Sequence, residues 1–248
     1  MHIFHSDLDN TIIYSYKHDI GSDKKNVEVY QGREISFITS RTYELLQKVV
    51  DRVLFVPTTT RTIEQYERIN LGIGMPKYAL VCNGGVLLEN GKENQEWYEE
   101  SRAIILDSSG EMRNALDFLE NDARRKFELR YIRELFVFTK CCNPEEVVCD
   151  LKNHLDTSLA DVFNNGEKVY VLPKNLDKGT AVKRFRKKVG GDYVFAAGDS
   201  EFDVSMLEAA DLGIAPESLK EKCSDTADIT WINSGELLAE RALQMITQ

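Results

Sequence analysis

His2-Ile3-Phe4-His5-Ser6-Asp7-Leu8-Asp9-Asn10-Thr11 is the stretch on which the reading of the fold turns. The run His2 to His5 reads as a short β-strand, which brings Asp7 out at the strand's carboxyl end. In open parallel α/β sheets that edge is where ligands bind. Two carboxylates two residues apart, followed by a hydroxyl residue, can hold a metal and present a nucleophile. A carboxylate can attack phosphorus and carry an aspartyl-phosphate, dividing one hard step into two easier ones. Taken alone, the same residues also make an ordinary acidic turn after a strand.

Three later segments bear on the choice. Val53-Leu54-Phe55-Val56-Pro57 runs into Thr58-Thr59-Thr60-Arg61, with a helix expected from Thr62. Hydroxyls at a strand end beside a helix amino terminus suit a phosphate oxygen, although simple N-capping gives the same pattern. Asn175-Leu176-Asp177-Lys178-Gly179-Thr180 opens a helix, and a lysine in a first turn runs against the helix dipole unless an anion lies nearby. Tyr193-Val194-Phe195-Ala196-Ala197 is a buried-strand run that ends in Gly198-Asp199, with Asp203 one helical turn further on. Each segment has a bland explanation. Acid, hydroxyl, lysine and acid at successive strand ends form the specific signal.

In these motifs the chain resembles the haloacid dehalogenase superfamily of phosphatases and phosphotransferases. Asp7 to Thr11 is similar to its D-x-D-x-T motif, Thr59 (with Thr58 as the fallback) to the second-motif hydroxyl, and Lys178 to the third-motif lysine. Gly198 to Met206 is similar to the fourth motif, G-D-S-x-x-D-x-x-M. The spacing resembles the subgroup with a cap inserted between the second and third motifs, which includes sugar-phosphate phosphatases. Leu80-Val81-Cys82-Asn83-Gly84-Gly85 resembles that subgroup's Asn-Gly junction. Two positions depart: Phe202 stands where Asn is frequent, and Thr60 replaces the glycine of Thr-Gly-Arg. The segment from Ile12 to Thr39 is also long for its place.

The resemblance implies a Mg²⁺-dependent phosphomonoester hydrolase acting on a small phosphorylated metabolite, a sugar phosphate by subgroup. Asp7 is then nucleophile and metal ligand. Asp9 is acid and base, with its main-chain carbonyl on the metal, and Asp199 completes the protein's metal shell. Thr59 and Lys178 hold phosphoryl oxygens, Asp203 supports Lys178 or the metal shell, and Asn83 and Gly84 sit at the substrate. A phosphotransferase or mutase using the same intermediate is the alternative. A phospho-acceptor signalling protein is the distant one, since receivers are single domains of about half this length.

At 248 residues, one or two domains are expected. A net charge of −10 makes a nucleic-acid backbone an unsuitable partner, while a local lysine and a bound cation still allow a phosphate. No apolar run approaches the ~20 residues of a membrane span, and no leader segment is visible, so a cytoplasmic protein is expected. The oligomeric state is not assigned. Cys82, Cys141, Cys142, Cys149 and Cys223 form no zinc spacing and read as reduced thiols. His2 and His5 read as strand residues.

The expected fold is α/β: a doubly wound, Rossmann-like parallel sheet core with an inserted α+β cap domain. The core spans 1–85 and 173–248 and the cap 86–172. Residues 12–26 read as loop and are followed by a hairpin around Gln31-Gly32. Strand 53–57, helix 62–71 and strand 78–82 then alternate. A second hairpin, Val86-Leu87-Leu88 with Gln95-Glu96-Trp97 around Asn90-Gly91, opens the cap, whose order is helix, two strands, helix, two strands. The cap is expected to exclude bulk water and read the leaving group. Its basic run, Arg124, Arg125, Lys126, Arg130 and Arg133, reads as a solvated face. The core resumes with helix 179–188, strand 193–197, helix 202–209, strand 212–214 and a helix from 234 to 246.

Overall fold

Every residue of β1 (His2–Ser6) beyond His2 is buried, as a strand covered on both faces requires. The structure, a computed structural model, describes residues 1–247. It resolves into two units: Met1–Asn94 with the chain from Lys178 onward, and Gln95–Asp177. In the first unit β1 is followed by β2 (Tyr14–Ser15), β3 (Lys24–Tyr30), β4 (Arg33–Thr39), α1 (Ser40–Val50) and β5 (Leu54–Pro57). Then come the single-turn α2 (Ile63–Tyr66), β6 (Tyr78–Val81), β7 (Val86–Glu89) and β8 (Lys92–Glu93). The second unit holds α3 (Gln95–Ile104), α4 (Ser109–Glu120), β9 (Arg130–Ile132), β10 (Phe136–Lys140), α5 (Pro144–His154), β11 (Ala160–Asn165) and β12 (Lys168–Pro173). The first unit resumes with α6 (Lys178–Val189), β13 (Tyr193–Ala197), α7 (Glu201–Ala209), β14 (Leu212–Pro216), β15 (Ile229–Ile232) and α8 (Leu238–Thr247).

The first unit is a doubly wound α/β domain. Its five-stranded sheet has the order β15-β14-β13-β1-β5, with every neighbouring pair parallel. Successive residues of β1 serve opposite faces. Phe4 joins Leu46 and Val49 of α1 and Ala242 and Leu243 of α8, while His5 meets the ring of Phe185 in α6 edge-on at 5.3 Å. The parallel register places Asp7, Thr58 and Gly198 just past the ends of β1, β5 and β13, so the chemistry-bearing residues share one edge of the sheet.

Beside this sheet, β2, β4 and β3 form a small antiparallel sheet. The expectation of a loop over 12–26 is therefore corrected. Ile12 and Ile13 are buried, Tyr14 pairs with Phe37, and β3 begins at Lys24. The apolar triplet Ile12-Ile13-Tyr14 outweighs the polar composition around it. Gln31 and Gly32 both take positive φ, as a tight hairpin turn requires.

The helix expected over 62–71 is only one turn long. After Tyr66 the chain pairs with β3 instead, through a Glu28–Ile69 bridge and a hydrogen bond from Asn70 N to Val27 O at 2.8 Å. Gly72 and Gly74 then hold positive φ. Gln95-Glu96-Trp97 is not a hairpin arm but the start of α3; the turn at Asn90-Gly91 pairs β7 with β8. β15 was not anticipated, and α8 starts at Leu238 rather than 234.

The second unit packs α4 and α5 on one face of an antiparallel sheet ordered β11-β12-β10-β9. Met112, Leu119, Val147 and Leu151 meet Val137, Val162, Val169 and Val171. The alternating strand positions Phe138, Tyr170 and Phe163 form an aromatic row on the opposite face. The unit boundaries fall at 94/95 and 177/178, against expected breaks at 86 and 173, because β7 is laddered to β6 in the first unit. The basic run is tied into its own unit. Arg125 donates to the Leu119 and Glu120 carbonyls at the end of α4 and to the Phe127 carbonyl beyond it. Arg124 pairs with Asp122 and Asp150, Lys126 with Glu167, and Arg130 with Glu128. Among the described residues no helix is long and apolar enough to cross a membrane, and all five cysteines are free.

Candidate active site

At the end of β1 the Asp7 amide donates to the Ala197 carbonyl at 2.9 Å, which ties the strand end to β13. The chain then turns at once. The Leu8 carbonyl accepts from Thr11 N, Ile12 N and Ile13 N, and Asn10 takes φ 60°. Leu8, Ile12 and Ile13 are buried, so the apolar residues between the polar ones anchor the loop that carries Asp7, Asp9 and Thr11.

Lys178 is the first residue of α6 and only 1% exposed. Its Nζ donates to Asp7 Oδ1 at 2.6 Å and to Asp203 Oδ1 at 2.6 Å. Two carboxylates account for a cation at the unfavourable end of a helix dipole. The other oxygen of Asp203 accepts from Asp199 N (3.0 Å), Ser200 N (3.0 Å) and Ser200 Oγ (2.9 Å). Gly198 permits this closeness, since a Cβ there would overlap Asp203 Cβ and Cγ. Asp199 Oδ1 accepts from Thr11 Oγ1 at 3.2 Å, so the first and fourth motifs meet through Thr11 as well as through Lys178.

Three carboxylates crowd one ammonium. Burial would lower Lys178, but Asp203 and Asp7 outweigh it and hold the lysine above its usual range. Burial, with the neighbouring Asp203, pushes Asp199 up to about 7, opposed by Thr11, Lys178 and Asn10. Asp7 is pushed up as well, by burial first and by the other aspartates, against the pull of Lys178. Asp7, Asp199 and Asp203 present oxygens that lie within 4.8 Å of one another. Asp203 has both oxygens committed to Lys178 and to the turn that follows β13. The pair that fits a hard divalent cation is therefore Asp7 and Asp199; Mg²⁺ takes oxygen ligands and is held by one or two carboxylates together with water and phosphate.

Asp9 lies at the same edge, with its side chain turned to Arg61. Arg61 Nε donates to Asp9 Oδ2 and Nη2 to Asp9 Oδ1, both at 2.7 Å, a bidentate fork. The other edge of the guanidinium meets Glu28, through Nη1 to Oε1 and Nη2 to Oε2 at 2.9 Å each. Sequence reasoning assigned no role to Arg61, Glu28 or Thr11. Arg61 and Thr11 stand inside the motifs, so a signal existed. Glu28 had none. Strict alternation in Val27-Glu28-Val29 turns Glu28 outward, but β3 carries bulges on either side of it. Glu28 is buried and Val29 is 51% exposed, the inversion a bulge produces.

The threonines behind β5 separate cleanly. Thr58 Oγ1 donates to the Val56 carbonyl at 3.1 Å and lies 2.9 Å from His5 Nδ1. With its proton on Val56, Thr58 accepts from His5 Nδ1–H, which leaves Nε2 as the imidazole's unprotonated nitrogen, buried without a partner. Burial lowers the His5 pKa to about 3. Thr58 is thus committed to the core. Thr59 accepts from Arg61 N at Oγ1 (3.2 Å) and donates its own N–H to Leu80 O. Asn83 and Gly84 occupy a left-handed turn after β6, with φ 59° and 85°, and Asn83 N donates to Thr59 O at 3.0 Å. The structure therefore gathers Asp7, Lys178, Asp199, Asp203 and Thr11 around one cluster, places Asp9 on Arg61, and ties the Asn83 turn to Thr59.

A doubly wound domain with a buried aspartate–lysine cluster at the carboxyl edge of its sheet is a Rossmann-like α/β architecture with its candidate site where such sheets bind ligands. The chain belongs to the haloacid dehalogenase-like hydrolases, whose family model matches residues 94–234. A relative is the phosphoglycolate phosphatase of Sulfurisphaera tokodaii, 24% identical over 77% of this chain and 78% of that protein. Among solved structures, the sucrose-phosphatase of a Synechocystis species, in complex with sucrose and phosphate, is similar at a TM-score of 0.65 and 18% identity, over 98% of this chain and 96% of that one. A haloacid dehalogenase-like hydrolase from B. subtilis is similar at a TM-score of 0.61 and 15% identity, over 99% of both chains. The enzyme class and fold read from the motifs agree with these comparisons.

Proposed function

We propose that this protein is a Mg²⁺-dependent phosphatase that hydrolyses a small phosphorylated metabolite through an aspartyl-phosphate on Asp7. The observation that carries the reading is the buried ion cluster in which Lys178 joins Asp7 to Asp203 at 2.6 Å each. A phosphomonoester dianion approaching Asp7 would meet repulsion from that carboxylate, and Lys178 offsets it. Asp7 attacks phosphorus with a carboxylate oxygen. The bond from phosphorus to the leaving oxygen breaks, its electron pair leaves with that oxygen, and Asp9 supplies the proton that makes it an alcohol. Asp9 then takes a proton from water as the water attacks phosphorus, which releases inorganic phosphate and restores Asp7. Thr59 and Lys178 hold the phosphoryl oxygens. Asp203 fixes Lys178 and the Asp199 turn. Asp7 and Asp199, with the Asp9 carbonyl, would hold Mg²⁺, which when bound neutralises phosphoryl charge. Positioning and charge stabilisation are what this chemistry asks of a protein.

In this reading the second unit is the cap domain, and the turn at Asn83 and Gly84 contributes to substrate binding. The relative named for phosphoglycolate and the neighbour solved with sucrose and phosphate support a small alkyl phosphate, with a sugar phosphate as the favoured class. The test is phosphate release from glucose 6-phosphate, sucrose 6-phosphate, trehalose 6-phosphate, phosphoglycolate, a nucleotide and p-nitrophenyl phosphate. It is run with Mg²⁺, with a chelator, and with Asp7→Asn. Metal-dependent release that vanishes in Asp7→Asn is expected. Full release by Asp7→Asn removes Asp7 as nucleophile, and transfer to an added alcohol in place of water replaces the hydrolase with a phosphotransferase.

A further inference from the structure

The network around Arg61 reaches beyond the motifs into the β2–β4–β3 sheet. All five N–H donors of Arg61 are used: two on Asp9, two on Glu28, and one on the Gln65 carbonyl at 3.2 Å. Glu28 is equally saturated. Its Oε1 also accepts from Arg68 Nε at 3.1 Å and its Oε2 from Ser36 Oγ at 2.6 Å. Burial alone would raise the Glu28 carboxyl, but Arg61, Ser36 and Arg68 together hold it below its usual range. The main chain fixes the same place, since Glu28 bridges to Ile69 and sits between two bulges of β3. The two acids differ in freedom. The Glu28 side chain is 0% exposed, whereas that of Asp9 is 48% exposed. Glu28 is the fixed partner of Arg61, and Asp9 is the one that can exchange.

We propose that Glu28 is a positioning residue for Asp9. It fixes the Arg61 guanidinium, and Arg61 in turn aims the more exposed Asp9 carboxyl through its bidentate fork. The proposal rests on the reading of Asp9 as acid and base. The arrangement fixes a direction: both Asp9 oxygens accept from Arg61 at 2.7 Å, and the opposite edge of the same guanidinium is held by the buried Glu28 at 2.9 Å. With Glu28 neutral, Arg61 loses that charged anchor and the Asp9 carboxyl loses its aim, which weakens proton donation to the leaving oxygen. This also gives the long segment from Ile12 to Thr39 a task, because β3 and β4 deliver Glu28 and Ser36 to Arg61.

The test uses the dependence on leaving group, which a merely structural role would not move. An alkyl phosphate needs its leaving oxygen protonated as the bond to phosphorus breaks; p-nitrophenyl phosphate expels a stable phenolate without that proton. We compare kcat/KM, which reports the first step, for p-nitrophenyl phosphate and for the alkyl phosphate of the above panel with the highest kcat/KM. Asp9→Asn is the reference and should lose about 100-fold or more on the alkyl phosphate, in the range of general acid catalysis, and far less on the aryl one. Glu28→Gln should lose about 10-fold on the alkyl phosphate with little change on the aryl one. Ser36→Ala, which removes one bond from Glu28, should shift the ratio the same way by about 2-fold. Because each ratio is taken on one preparation, a loss of folded protein cancels, and Ser36→Ala decides if Glu28→Gln does not fold. A selective loss in Asp9→Asn with unchanged ratios in both Glu28→Gln and Ser36→Ala overturns the role of Glu28 alone. Equal losses on both substrates in Asp9→Asn overturn the acid reading and the proposal with it.

Discussion

Replacing His5 with Asn isolates one buried titration and gives it a sign. The wild-type imidazole is buried, donates to Thr58 through Nδ1, and has a pKa near 3 against an ordinary 6.5. Between these values the unfolded chain carries a proton that the folded chain does not. Stability is therefore complete above the unfolded pKa and declines as the pH falls below it. From pH 8 to pH 5 the interval below 6.5 is about 1.5 units, and at ~1.4 kcal/mol per unit the loss is about 2 kcal/mol. Asp7 and Asp199 shift upward, so they protonate first in the folded state and act in the opposite direction, but equally in both proteins. In His5→Asn the amide nitrogen takes the place of Nδ1 and keeps the donor to Thr58. Its smaller side chain beside Phe185 costs stability at every pH. Urea unfolding of both proteins at pH 8 and pH 5 gives four free energies. The decrease from pH 8 to pH 5 should be smaller in His5→Asn by about 2 kcal/mol. Equal decreases would mean that His5 binds its proton alike in both states, and the account of a partnerless buried Nε2 would fall.

Three further outcomes follow from the site geometry. Gly198→Ala should destabilise the first unit by about 1–3 kcal/mol, the usual range for overpacking, because the new Cβ collides with Asp203; thermal unfolding and phosphate release are expected to fall together. Lys178→Met leaves Asp7 and Asp203 without their shared cation and should cost about 3–5 kcal/mol in stability, as for a broken buried pair, along with nearly all turnover; an unchanged rate would remove Lys178 from the site. Thr58→Val strands the His5 donor, so about 1–3 kcal/mol of stability should be lost with KM unchanged, whereas Thr59→Val should change the kinetics with a smaller effect on unfolding. The reverse pattern in parallel melting and rate measurements would exchange the roles of the two threonines.

Much of the site was legible because it lies where strand ends can be read. Apolar runs ending in Asp7, Thr58-Thr59 and Gly198-Asp199 put acids and hydroxyls at one edge once the sheet is parallel, and Lys178 was conspicuous against the dipole of its own helix. In the run Thr58-Thr59-Thr60 the motif favours Thr59, with Thr58 as the fallback, but local sequence does not separate their environments. They differ in the structure because Thr58 is spent on His5, which lies on the neighbouring strand. Asp203 reads as a support for either Lys178 or the metal shell, and only the packed turn after β13 shows both of its oxygens in use.

By itself the sequence determined the alternation of strands and helices, the inserted unit and the order of the polar residues, since these depend on local periodicity and on residues carried by each strand's own end. Tertiary structure decided the rest. It set the pairing of the β2–β4–β3 sheet, the bulges that turn Glu28 inward, the bridge that ends α2 after a single turn, and the sharing of Arg61 between Asp9 and Glu28. Each of these joins residues far apart in the chain, and pairings of that kind are fixed by which buried donors and acceptors find one another on folding. No window of local sequence contains both partners.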